Sequence, residues 1–143
     1  MELSAVTEVL GGEKVLLKKV RNRTDLIELG KFGLTKDALL HLAKYLGISV
    51  GQMAALLPIT ERTIQRYSRG QHFSQAVSEH ILEIAECVAK GIAVFENRDK
   101  FLVWMNHPNK ALGQETPVSL LNSRFGTDMV LNALGRIEYG VFS

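Results

Sequence analysis

The stretch "SVGQMAALLPITERTIQRYSRG", residues 49 to 70, decides how the rest of the chain is read. Ser49 and Gln52 form an S-x-x-Q capping box, which opens a helix over "VGQMAALL". Pro58 closes it, because the residue before a proline is pushed out of the α region. Thr60 then caps "ERTIQRYSR", and Gly70 is expected to end it. Two short helices joined by a tight Pro-Ile-Thr turn, the second one basic, describe a helix-turn-helix. A recognition helix needs a buried stripe to hold it rigidly, and Ile64 and Tyr67 supply one. Its other face must reach base edges or phosphates, and Glu61, Arg62, Gln65, Arg66 and Arg69 do so at helical spacing. Residues near the helix N-terminus enter the major groove deepest, which makes Arg62 a candidate for guanine and Gln65 for adenine. Gln52 opens the preceding helix, where it can meet a phosphate with the help of that helix's positive end. The plainer reading is a solvated basic helix in an ordinary bundle.

Outward from this motif the dominant period is helical. Thr35 caps a helix whose apolar residues Ala38, Leu39, Leu42, Ala43 and Leu46 form a core-facing stripe, with Gly47 as its stop. Upstream, "SAVTEVL" is a short amphipathic segment halted by Gly11-Gly12, and "KVLLKKV" could be helical or extended. Thr24 is expected to cap a short helix ending near Gly30 or Gly33. Downstream, a long helix is expected from about Gln75 to Phe95, weakened by Gly91. A further helix around Asp99 to Met105 carries Trp104. Thr116-Pro117 then reads as an N-cap followed by proline at the first helical position. The helix after it is expected to end at Gly126, with Thr127 capping a final helix. The fold class is all-α, a helical bundle.

Composition sets the remaining bounds. The chain has 143 residues, 46% of them apolar, enough for a core shared by one domain or two small ones. The net charge of +2 implies no polyanionic partner by itself, but it is unevenly spread. Lys14, Lys18, Lys19, Arg21 and Arg23 form an acid-free segment that is either an arm laid on phosphates or a surface stripe. Cys87 is the single cysteine and sits in an apolar-periodic stretch, so it reads as a buried hydrophobe. No run of about 18 apolar residues suggests a membrane span, and no signal peptide is visible at the N-terminus, so the expectation is a cytoplasmic protein. His41, His72, His80 and His107 share no ligand spacing with one another or with Cys87, and no phosphate-binding glycine motif occurs. Neither metal, cofactor nor catalysis is expected.

The C-terminal third carries the most specific pattern. Trp104 precedes an N-x-x-L-G loop of Asn109, Leu112 and Gly113; Thr116-Pro117, Leu120-Leu121 and Gly126 follow, and then the terminal "LGRIEYGVF". This segment, from about residue 94, closely resembles the toxin-binding domain of Xre/MbcA/ParS-type antitoxins. Upstream, "LGGEKVL" and "RTIQR" look like the Xre-like helix-turn-helix half of the same family, so the resemblance spans nearly the whole chain. Gln114 departs from it, since a second glycine is common there. The resemblance implies an N-terminal arm and helix-turn-helix domain over residues 1–73, and a connecting helix with a toxin-binding domain over 74–143. It implies a RES-domain, NAD-consuming toxin as partner, its active site blocked by the antitoxin's C-terminal region. It further implies operator DNA as a second partner, with repression of the antitoxin's own operon. A homodimer is the default expectation. Within the C-terminal region, aromatic residues at a chain end suit insertion into a groove. Arg136, Glu138, Tyr139, Val141, Phe142 and Ser143 are therefore the candidate toxin-binding residues. The alternatives are a stand-alone helix-turn-helix repressor with a C-terminal dimerisation or sensing domain, and an adaptor protein built on the same domain.

Overall fold

Seven polar side chains set where the helices from residue 23 onward begin. Asn22, Thr35, Ser49, Thr60, Ser74, Asn97 and Ser123 lie in extended backbone, and each accepts the N–H of the residue three positions on. The computed structural model describes residues 3–140. Within them lie α1 (Leu3–Val9), α2 (Glu13–Leu16), α3 (Arg23–Phe32), α4 (Lys36–Leu46) and α5 (Val50–Ala54). Then come α6 (Glu61–Arg66), α7 (Gln75–Phe95), α8 (Arg98–Met105) and α9 (Arg124–Glu138). Two 3-10 segments, Lys110–Leu112 and Pro117–Asn122, fill the connection between α8 and α9. Among the described residues there are no strands, only the isolated bridges Thr35–His72 and Asn109–Glu115.

The long helix α7 is the axis. It packs against α1, α3 and α4 on the N-terminal side and against α8 and α9 on the other. Ile81, Ile84, Ala85, Cys87 and Val88 are fully buried along it, within one hydrophobic cluster that runs from Val6 to Leu134. Phe101, also fully buried, lies over Gly91, where an added Cβ would overlap its ring. The helical cost of that glycine is therefore offset by the close seat it gives an aromatic side chain.

Several local expectations are corrected. Asn22, not Thr24, caps α3, because the Asn22 side chain reaches the Asp25 N–H at 3.0 Å and Thr24 falls inside the helix. The capping box of Ser49 and Gln52 forms as expected, and so does the Gly47 stop. The helix opened by Thr60 ends at Arg66 instead of running to Gly70. Tyr67 is already extended, at φ −72° and ψ 142°, since its ring stacks on Phe73 at 4.9 Å between centroids. Thr116 makes no side-chain cap, and Pro117 opens a 3-10 segment, not an α-helix. Gly126 is no stop and Thr127 no cap: both lie buried inside α9, which Ser123 caps. An added Cβ at Gly126 would collide with the Leu120 carbonyl, so this glycine lets the 3-10 segment press onto α9.

Candidate functional site

Two surfaces carry the candidate residues, one in each half. In the N-terminal half, the fully buried Ile64 anchors α6 to the core. Its exposed side holds Glu61, Arg62, Gln65 and Arg66 as two adjacent i, i+4 rows. Gln65 Nε2 donates to Glu61 Oε2 at 3.1 Å, which orients the Gln65 amide. The Glu61 carboxylate lies against Gly51 at the start of α5, beside Gln52. Gln52 uses its amide oxygen to accept the Ser49 N–H at 2.9 Å, which leaves its NH2 group as the outward donor. The structure thus brings Gln52, Glu61, Arg62, Gln65 and Arg66 onto one exposed surface. Arg69 is not among them, because the helix has ended; its guanidinium pairs with Asp37 at 2.7 Å.

Asp37 belongs to a clamp that the sequence did not reveal. Lys36 Nζ donates to the Tyr67 carbonyl at 2.9 Å and to the Gln65 carbonyl at 3.5 Å, the end of α6. The backbone N–H groups of Lys36 and Asp37 donate to the carbonyls of Gln71 and Arg69. The first residues of α4 therefore hold the C-terminal end of the recognition helix and the segment after it. The partners lie about thirty positions apart, as with Lys36 and Tyr67 (31), so no local pattern signals them.

The basic segment from Lys14 to Arg23 is partly engaged with acids. Lys18 meets Glu28 at 2.8 Å, and that hydrogen bond raises the ammonium's pKa above its ordinary value. Arg23 pairs with Glu86 of α7 at 3.1 Å. Asp25 accepts the Arg21 backbone N–H at 2.8 Å, which holds its carboxyl below the usual range.

In the C-terminal half, the N-x-x-L-G loop is built from backbone turns. Asn109 caps the short 3-10 segment through Ala111, and Gly113 and Gln114 both take left-handed conformations, at φ 69° and 68°. The loop and the Pro117–Asn122 segment pack on α9, and His80 of α7 bonds the Leu121 carbonyl at 2.7 Å. Along α9, Gly126, Thr127, Val130, Ala133 and Leu134 face inward. Of the candidate residues, Arg136 is half-buried at a groove between α7 and α9, and Glu138 pairs with Lys90 at 3.2 Å. Tyr139 is 80% exposed at the helix end. Val141, Phe142 and Ser143 lie outside the described residues. Phe125 and Met129, which the sequence pattern did not single out, are exposed at 85% and 42%. Reading Gly126 as a stop cut their stripe in two, and carrying the helical period through that glycine would have found it.

Among the described residues no group of three or more His, Cys, Asp or Glu side chains could hold a metal. Cys87 is fully buried, its thiol pushed far up by desolvation. No helix of the described residues is long and apolar enough to cross a membrane.

Both halves of the chain match known protein domains. Residues 25–86 match the Antitoxin Xre-like helix-turn-helix domain, and residues 90–140 match the Antitoxin Xre/MbcA/ParS C-terminal toxin-binding domain. A protein named Antitoxin Xre from Yersinia enterocolitica serotype O:8 / biotype 1B is 28% identical over 122 residues, covering 84% of this chain and 82% of that one. An Antitoxin Xre from Photorhabdus laumondii subsp. laumondii is 30% identical over 95 residues, 65% of this chain and 64% of that one. A chain from the crystal structure of the M. tuberculosis MbcT–MbcA toxin–antitoxin complex shares the fold. It superposes at a TM-score of 0.55 and 22% identity, over 87% of this chain and 100% of that one. The matched domains are those of antitoxins, not of enzymes. With a helix-turn-helix in its N-terminal half and a toxin-binding domain behind it, the chain belongs to the Xre/MbcA/ParS-type antitoxins.

Proposed function

We propose that this antitoxin neutralises a cognate RES-domain, NAD-consuming toxin by laying its C-terminal end over the toxin's active site. The observation that carries the reading is the end of α9. Tyr139 stands 80% exposed there and leads through Gly140 to Val141, Phe142 and Ser143, within and just beyond the segment matched to a toxin-binding domain. An aromatic side chain at a helix end has a large apolar area to bury and little of its own fold to bury it against. Arg136 and Glu138 are its polar neighbours. The protein acts in the cytoplasm, with residues 1–73 serving DNA and 74–143 serving the toxin.

The same reading makes the antitoxin a repressor of its own operon. Arg62, Gln65, Arg66 and Glu61 face the major groove, Gln52 meets a phosphate, and a homodimer sits on a two-fold operator. This is supported by the exposure of all five side chains on one surface and by the buried anchor Ile64. Arg69, occupied by Asp37, is at most a phosphate contact at the edge.

Co-expression tests the first part. The intact antitoxin should rescue cells from its toxin, and removal of residues 139–143 should abolish rescue while the helical circular dichroism stays unchanged. Full rescue by the shortened chain overturns active-site blocking. For DNA, Arg62→Ala with Arg66→Ala should weaken operator binding by about 1–3 kcal/mol for each base that is no longer read. Unchanged mobility shifts would make α6 scaffold.

A further inference from the structure

We propose that the toxin is gripped along the outward stripe of α9, anchored by Phe125 and Met129, and that this grip is separable from the blocking tail. The inference rests on the reading that the C-terminal half meets the toxin. Phe125, Met129, Asn132 and Arg136 follow steps of four, three and four residues, which at 100° per residue keeps them on one line of the helix. The line runs about 17 Å, at 1.5 Å per residue, and ends one turn before the tail. Its spacing is that of a helix laid into an apolar groove.

The stripe cannot turn inward. Gly126, pressed against the Leu120 carbonyl, fixes the rotation of α9, and Thr127, Val130, Ala133 and Leu134 fill the opposite face. Phe125 therefore stands 85% exposed and gives little to folding. The area also argues for it. A stable complex needs roughly 800 Å² from each partner, more than the last few residues of a chain can supply. The stripe leads toward the tail and lies inside the segment matched to a toxin-binding domain, 90–140. Arg136 lies within the stripe and the exposed Asp128 beside it, so the toxin surface that receives it is an apolar groove with polar groups of both signs at its rim.

The test uses the full-length antitoxin and its cognate toxin in a binding titration, with Phe125→Asp/Met129→Asp as one variant and removal of residues 139–143 as the other. The double variant should lose toxin affinity by roughly 100-fold, with unchanged circular dichroism and unchanged operator binding. The shortened chain should keep most of its affinity and lose only neutralisation. Affinity of the folded double variant within about threefold of wild type overturns the stripe. So does a change in the antitoxin's own oligomeric mass without loss of toxin binding, since the face would then belong to a second copy. If the unaltered antitoxin fails to bind the toxin at all, the toxin reading and this proposal fall together. If only the shortened chain behaves as wild type in rescue, the blocking tail falls and the stripe stands.

Discussion

Gln114 follows Gly113 in the left-handed region, at φ 68° after 69°, and a residue with a Cβ is sterically strained there. The departure noticed in the sequence is thus a conformational one: the second position of this turn wants glycine. Gln114→Gly should stabilise the protein by about 1 kcal/mol, read as a rise in the denaturant midpoint with no change in slope. Gly126 is the opposite case. Its φ is helical, and what it needs is space, because any Cβ meets the Leu120 backbone carbonyl, which cannot swing away as a side-chain tip would. Gly126→Ala should therefore cost about 3 kcal/mol in spite of alanine's better helix propensity, measurable by urea denaturation. A gain in stability would mean the 3-10 segment does not press on α9.

At the scale of elements, the recognition helix is shorter than its sequence suggests and is held from outside. Six residues make a marginal helix, so its rigidity comes from the Thr60 cap, the Ile64 anchor and the Lys36 clamp. Lys36→Met should weaken operator binding by roughly 1 kcal/mol through removal of that clamp. The salt dependence should keep its slope, because the variant leaves every phosphate partner in place. A slope reduced by about one unit would instead make Lys36 a direct phosphate ligand. The starts at Thr35, Ser49 and Thr60 are legible because a cap is a local event, decided by residues three apart, whereas Thr24 and Thr127 fall inside helices that Asn22 and Ser123 cap. The ends were less so: Arg66 is the last helical residue only because Tyr67 is drawn onto Phe73. Arg69 consequently lies off the exposed row of α6 and pairs with Asp37.

At the scale of the whole molecule, α7 belongs to both halves, and its buried residues join the N-terminal helices to α8 and α9 in one cluster. The two functional halves should therefore unfold together. Far-UV circular dichroism, which reports all helices, and the fluorescence of Trp104, the single tryptophan, should give coincident urea transitions. Ile84→Ala, at a fully buried position on that axis, should shift both by about 2–5 kcal/mol. Transitions that separate would mean the halves have independent cores.

The all-α class, most helix starts, the helix-turn-helix with its outward Arg62, Gln65 and Arg66, and the family resemblance of the C-terminal third could all be read from the residues alone. These rest on caps, periods and motifs whose partners lie within a turn or two of one another. What the glycines do, where the recognition helix stops, and which face of α9 is left in water became visible only with the chain folded. Those depend on Phe101 over Gly91, Leu120 against Gly126 and Lys36 beneath Tyr67, neighbours separated by 6 to 31 positions. A glycine at a helix stop and a glycine under a crossing backbone look the same in a sequence, and only the neighbour brought in by the core tells them apart.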